Sequence, residues 1–203
     1  MKRIVLLAVI LLAGCATTRI NSYKDPVYFT KQYNSILVMV MTDDLFYAQP
    51  LEAAMREELL DAGLTCGESL KLFPPTRPFP EEDWKRIAKE NGFEAALMFN
   101  LSKEGVDKGY TGDIVHTDSE SETKQTRRGE KTTTETTTHY IPGIEYDKPW
   151  SQFQVSLVDL DSGENAWVAT AFTKGNLFVN RDGTLSALAA ETLDRLRDDG
   201  LVR

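Results

Sequence analysis

The sequence predicts an α/β fold, a single domain in which a mixed β-sheet carries about three packed helices. Three observations predict it. Two apolar runs, residues 36–41 (ILVMVM) and 95–99 (AALMF), show no alternation, as expected of strands covered on both faces. Helical stretches with punctuated ends separate them, which implies parallel pairing through a crossover. Later, Phe153, Val155 and Leu157 alternate with Gln152, Gln154 and Ser156, the period of a half-buried antiparallel strand.

The chain opens with Lys2 and Arg3, an apolar run over residues 4–13, and then Leu12-Ala13-Gly14-Cys15. This is the layout of a secretory signal whose apolar core is too short to span a bilayer. Ending on cysteine, it resembles the bacterial lipoprotein signal. The resemblance implies cleavage of residues 1–14 and acyl chains on Cys15. With Ala16 rather than Asp next, it also implies sorting to the outer membrane of a Gram-negative cell, facing the periplasm. Each buried methylene contributes about 0.8 kcal/mol, so two or more chains anchor the protein stably. This covalent lipid is the only added group expected; no cofactor is.

Removal of residues 1–14 leaves 189 residues and takes Lys2 and Arg3 with it, moving the formal charge from −8 to −10. Such acidity excludes nucleic acid and electrostatic docking on anionic lipid. With Cys15 acylated only Cys66 remains, which excludes an internal disulfide. Cys66 is expected to be a small buried hydrophobe.

Residues 15–33 are polar and read as a lipid-anchored tether, leaving residues 34–203 as the domain. The run at 36–41 is a central strand. A helix follows, with Pro50 expected in its first turn, Leu51, Met55, Leu59 and Ala62 on one face, and Gly63 past its end. Residues 64–73 suit a short edge strand with Leu70, Leu72 and Phe73 as apolar members, stopped by Pro74-Pro75. Pro80 and the acids after it open a second helix, buried through Trp84, Ile87 and Ala88 and closed by Asn91-Gly92. The second internal strand covers 93–101.

An insertion occupies about 102–149. Residues 117–138 contain no hydrophobic side chain and are rich in Thr and Glu. Disorder is one reading; the other is a long hairpin turning near Arg128-Gly129, because Thr favours strands. A strand pair turning at Asp161-Ser162-Gly163 follows. A last helix over about 184–199, striped by Leu185, Leu188, Ala189, Thr192 and Leu196, closes the domain before Gly200.

Chemistry is sparse. Asp43-Asp44 follow the first central strand, where ligands often sit in open α/β sheets. A pair without a third ligand is better explained as a helix cap. His116 and His139 would face each other across a hairpin, yet read as exposed surface residues. No metal-ligand spacing, serine-nucleophile turn or phosphate loop is present, so no catalytic or metal residue is assigned. Trp84 and Phe153 belong to core stripes. Tyr140, Ile141, Ile144, Tyr146 and Trp150 flank the Pro142-Gly143 break and are expected to form an exposed partner-contact edge.

Asn91-Gly92-Phe93-Glu94-Ala95-Ala96-Leu97 resembles a "G-x-D-A-x-L" stretch that opens an internal strand in a group of small periplasm-facing lipoproteins. Leu157-Val158-Asp159-Leu160-Asp161-Ser162-Gly163, with Trp167 and Lys174-Gly175, is similar to their hairpin, although Glu94 and Ser162 replace the usual Asp and Thr. The lipoproteins of curli and Pel polysaccharide export, and the N-terminal domain of TolB, share this kind of α/β fold. The resemblance implies a non-enzymatic assembly or accessory protein of the envelope that contacts other envelope proteins and admits a homo-oligomer. A glycan- or peptidoglycan-binding module is the alternative, and a carboxylate-based hydrolase a further one.

Overall fold

The computed structural model describes residues 16–126 and 129–203. The signal segment, Cys15 and Arg128 lie outside the described residues. The chain forms strand β1 (Thr17–Lys24), strand β2 (Ser35–Met41), helix α1 (Leu45–Asp61), strand β3 (Thr65–Glu68), the one-turn helix α2 (Ser69–Leu72), helix α3 (Trp84–Glu90) and strand β4 (Ala95–Tyr110). Strands β5 (Ile114–Thr126), β6 (Gly129–Ile141), β7 (Glu145–Asp159) and β8 (Asn165–Lys174) follow, then helix α4 (Arg181–Asp198). Six strands make one sheet in the order β1-β8-β7-β4-β2-β3, and β5 with β6 makes a second. Among the described residues two units result: 16–107 with 147–203, and Lys108–Tyr146. The insertion is thus narrower than 102–149, because β4 runs on to Tyr110 and β7 begins at Glu145.

The large sheet is mixed. Strand β2 pairs in parallel with β4, from Ile36↔Ala95 to Met41↔Asn100, and with β3 on its other side. Strand β8 is antiparallel to both β1 and β7. The unbroken apolar run of β2 is explained by its two faces. Ile36, Val38 and Val40 join the larger core with Leu51, Met55 and Leu59 of α1 and Leu188 and Leu193 of α4. Leu37 and Met39 face a smaller core with Trp84 and Ala88 of α3. Each alternate residue therefore finds an apolar layer.

Four elements differ from the sequence reading. Residues 17–24, expected in a tether, form β1, which pairs along its whole length with β8, from Thr17↔Lys174 to Lys24↔Trp167. Its sequence, TTRINSYK, buries only Ile20, so the open edge of β8 and not local hydrophobicity selects the strand. Ser22 Oγ donates to Asp199 Oδ2 (2.7 Å), and Lys24 Nζ donates to the Asp199 carbonyl (2.8 Å) at the end of α4, where cations and donors satisfy orphan carbonyls. Second, Pro50 lies inside α1 and not in its first turn. The carbonyl it leaves without an amide partner is that of Phe46, a residue 76 % exposed, so the loss falls on the solvent side of the helix.

The third difference is at 64–73. An edge strand forms, but it stops at Glu68, and Leu70 and Leu72 enter the one-turn α2. Glu52 of α1 holds that turn by accepting from Ser69 Oγ and the Leu70 amide. Fourth, the Pro80 segment forms a turn, with the Asp83 and Trp84 amides bonded to the Pro80 carbonyl, and the regular helix begins only at Trp84.

Gly175 follows β8 at a place with no room for a side chain. A Cβ there would meet the Val179 carbonyl oxygen at 2.5 Å and the Pro149 ring at 3.1 Å. Gly175→Ala must displace backbone, so it should lower stability by roughly 1–3 kcal/mol in urea unfolding.

Candidate partner-contact site

The Thr/Glu-rich insertion is the hairpin of the two sequence alternatives. Strands β5 and β6 pair without a break from Ile114↔Ile141 to Thr126↔Gly129. The two-residue period sorts their side chains. Thr117, Ser119, Ser121 and Thr123 share one face with Thr138, Thr136, Thr134 and Thr132. Their hydroxyls bond across the strands at 2.9 Å for Ser121–Thr134 and Thr123–Thr132, and 3.4 Å for Ser119–Thr136. The opposite face carries His116, Asp118, Glu120 and Glu122. Hydrogen-bonded hydroxyl ladders and β-branched Thr thus hold a pair of strands that has no apolar core. Among the described residues neither β5 nor β6 has a second strand neighbour, so both outer edges are open to a further strand.

The base of this hairpin is apolar. Ile114 opposes Ile141, and Val115 opposes Tyr140; all four are more than half exposed. Asp113 organises the adjoining turn. Its carboxylate accepts from the Tyr110 hydroxyl and, at 2.8 Å, from the Gly143 amide. The Tyr110 hydroxyl, the Gly143 amide and the Tyr140 hydroxyl hold the Asp113 carboxyl below its ordinary value, and Asp113 in turn pushes both tyrosines up. Ile144 is fixed by its amide to Thr111 Oγ1 at 2.9 Å and is 66 % exposed.

The structure therefore divides the expected contact edge. Tyr140, Ile141 and Ile144 come together at the hairpin base. Tyr146 belongs to β7 and lies over Gly109 of β4, where a Cβ would meet its ring at 2.4 Å. Trp150, also in β7, covers Gly105 in the same way and stacks on Phe172 with ring centroids 6.0 Å apart. These two are half-buried packing residues of a strand, not members of a loop. Sequence reading missed Tyr110, Ile114 and Val115. The signal was available: Ile114-Val115 lies as far before the turn as Tyr140-Ile141 lies after it.

The remaining candidates have local explanations. Asp44 caps α1, accepting the Phe46 amide at 2.8 Å. Asp43 lines a cleft of about 540 Å³ beyond the carboxyl end of β2, with Met41, Phe73, Arg77 and Phe79. His116 and His139 are direct cross-strand partners as expected, and both ring Nε2 atoms approach Asp118, at 2.8 and 3.8 Å. Among the described residues, no group of three or more His, Cys, Asp or Glu side chains is arranged to hold a metal ion. Burial, and after it the Glu68 charge, pushes the Cys66 thiol up to about 12, which keeps it protonated and unreactive. No helix of the described residues is long and apolar enough to cross a membrane.

No family model matches the sequence, and no curated protein matches it. The fold does have solved likenesses. A PelC dodecamer from Paraburkholderia phytofirmans is 13 % identical, with 89 % of this chain and 97 % of that chain covered and a TM-score of 0.51. A single-residue variant of that dodecamer is 13 % identical over 90 % and 98 % of the two chains, with a TM-score of 0.49. Lipoprotein GNA1162 from Neisseria meningitidis is 15 % identical over 81 % and 98 %, with a TM-score of 0.42. At these identities the likeness is one of fold, and the fold this chain shares over nearly its whole length is that of PelC.

Proposed function

We propose that this protein is a lipid-anchored accessory protein of the bacterial cell envelope, held at the periplasmic face of the outer membrane through acyl chains on Cys15. It acts without catalysis, by binding other envelope proteins, and further copies of itself are among its partners. The observation that carries this reading is the 114–141 hairpin, with two edges open to a further strand among the described residues and an exposed apolar base. An exposed strand edge is a template for adding a strand from another chain, and exposed Tyr and Ile supply an apolar anchor beside it. PelC, the fold's likeness, forms a dodecamer, which supports self-association. The non-catalytic reading is supported by the occupation of Asp44 in a helix cap and by the raised Cys66 thiol.

Deletion of residues 117–138 tests it by crosslinking in intact cells and affinity capture. The shortened protein should keep its thermal transition and lose the crosslinked partner bands. Capture unchanged by the deletion overturns the assignment of the hairpin.

A further inference from the structure

Strand β1 begins at Thr17, two residues after Cys15, and two residues of chain reach about 7 Å at most. The strand has no freedom to drift from the domain. It is paired with β8 over all eight residues and bonded through Ser22 and Lys24 to the end of α4. The group on Cys15 is therefore held close to one end of the large sheet. That end is defined by the register: Thr17 lies opposite Lys174, the last residue of β8, and Lys174 lies opposite Trp150.

At this same end the chain displays large apolar side chains in the loop after β8 and in the first turn of α1. After β8, Asn176 builds a turn by accepting the Phe178 amide at 2.9 Å. It presents Leu177 (40 % exposed) and Phe178 (70 %) while Val179 is tucked inside (7 %). At the start of α1, Leu45 (40 %) and Phe46 (76 %) are exposed, whereas Tyr47 is buried (3 %). The Arg181 guanidinium sits 4.8 Å from the Tyr47 ring centroid and fastens the two segments together. Four exposed apolar side chains thus flank one fixed contact, beside the strand that leads directly to Cys15. Their neighbours Asp43, Asp44 and Asp182 outnumber the one adjoining cation, Arg181, which is engaged on the Tyr47 ring, so the patch is not basic.

We propose that Leu45, Phe46, Leu177 and Phe178 form a second membrane contact, seated in the headgroup–acyl boundary of the leaflet that holds the acyl chains of Cys15. This rests on the lipid-anchored reading above. An acyl anchor alone leaves a protein free to swivel; a second apolar contact at the same sheet end fixes which end faces the bilayer. The contact is apolar, so its strength is insensitive to salt.

The test uses the full chain, acylated in cells, purified and reconstituted in phosphatidylethanolamine–phosphatidylglycerol vesicles. With Cys66→Ser as background, a nitroxide is placed at Phe178→Cys, and in a separate sample at Glu164→Cys in the turn at the opposite sheet end. Relaxation enhancement by lipid-soluble oxygen is compared with that by a water-soluble nickel chelate. The oxygen-to-nickel ratio at position 178 should exceed that at 164 by about threefold or more, equally in low and high salt, as for a side chain below the headgroups. Equal ratios on an acylated protein overturn the contact and leave the anchor standing. A label shielded from both reagents and broadened by a neighbouring label shows a second copy on the patch, which also overturns it. An intact mass without acyl groups overturns the anchored reading, and this inference falls with it.

Discussion

Asp159→Ala should lower the stability of the large unit by about 3–5 kcal/mol, read from urea unfolding followed by tryptophan fluorescence. Asp159 is 1 % exposed at the end of β7, and its two oxygens serve five donors. Oδ2 accepts from the Lys31 ammonium and, at 3.0 Å, from the hydroxyl of fully buried Tyr33. Oδ1 accepts the amides of Asp161 (2.9 Å) and Ser162 (2.8 Å) and the Ser162 hydroxyl (3.1 Å). The carboxylate therefore shapes the β7–β8 turn and pins the chain entering β2. Truncation leaves the Tyr33 hydroxyl and turn amides without partners, each costing roughly 1–3 kcal/mol where water cannot reach. Burial by itself pushes the Asp159 carboxyl up, but the Lys31, Ser162 and Tyr33 donors outweigh it and bring it from 3.8 down to about 2. The folded state then binds this proton more weakly than the unfolded chain. The stabilisation, roughly 2 kcal/mol, is complete above the unfolded value and lost as pH falls from about 4 towards 2. Asp159→Asn should flatten that acid limb, and a limb of unchanged steepness would show that another group causes it.

Glu52→Ala should cost about 2–4 kcal/mol in the same assay, with the opposite pH signature in its control. Glu52 is 1 % exposed on α1. Oε1 accepts the Val40 amide (3.2 Å) and Ser69 Oγ (2.5 Å), and Oε2 accepts the Leu70 amide (3.0 Å). One side chain thus closes the end of β2 and the whole of α2. Burial raises the Glu52 carboxyl above 4.5, with Glu68 adding to it and the three donors opposing. A raised acid favours the protonated form in the fold, so stability falls as pH rises from 4.5 through the folded value. Glu52→Gln keeps one acceptor and cannot ionise. It should lose less than Glu52→Ala and should abolish the decline. A decline that persists in the glutamine variant would assign it elsewhere.

These two carboxylates show where the sequence was readable and where it was not. Strands β2 and β4 were plain because burial on both faces leaves an unbroken apolar run, and the end of α1 was plain because Gly63 sits at φ 78°. Glu52 was overlooked although it lies one turn after Ala48, on the same buried stripe as Leu51 and Met55. Its partners are backbone amides from other elements, which no periodicity reveals. Strand β1 was hidden for a related reason, since its sequence carries little hydrophobic signal and only the edge of β8 makes it a strand. In the insertion, Thr propensity and the missing apolar residues pointed opposite ways, and cross-strand hydroxyl bonds decided for the hairpin. Tyr140, Ile141 and Ile144 were legible as exposed apolar residues beside a Pro-Gly break. Tyr146 and Trp150 looked the same, and differ only because Gly109 and Gly105, some forty residues earlier, give them a surface to cover.

The pairing of β1 with β8 and the clasp of Lys24 on the Asp199 carbonyl also constrain biogenesis. The first strand to leave the ribosome can be seated only after α4, roughly 175 residues later, has arrived. Until then the contact of Lys24 with the end of α4 cannot form. Closure of this long circuit joins the two ends of the described chain, so the first strand is fully held only when the last helix docks.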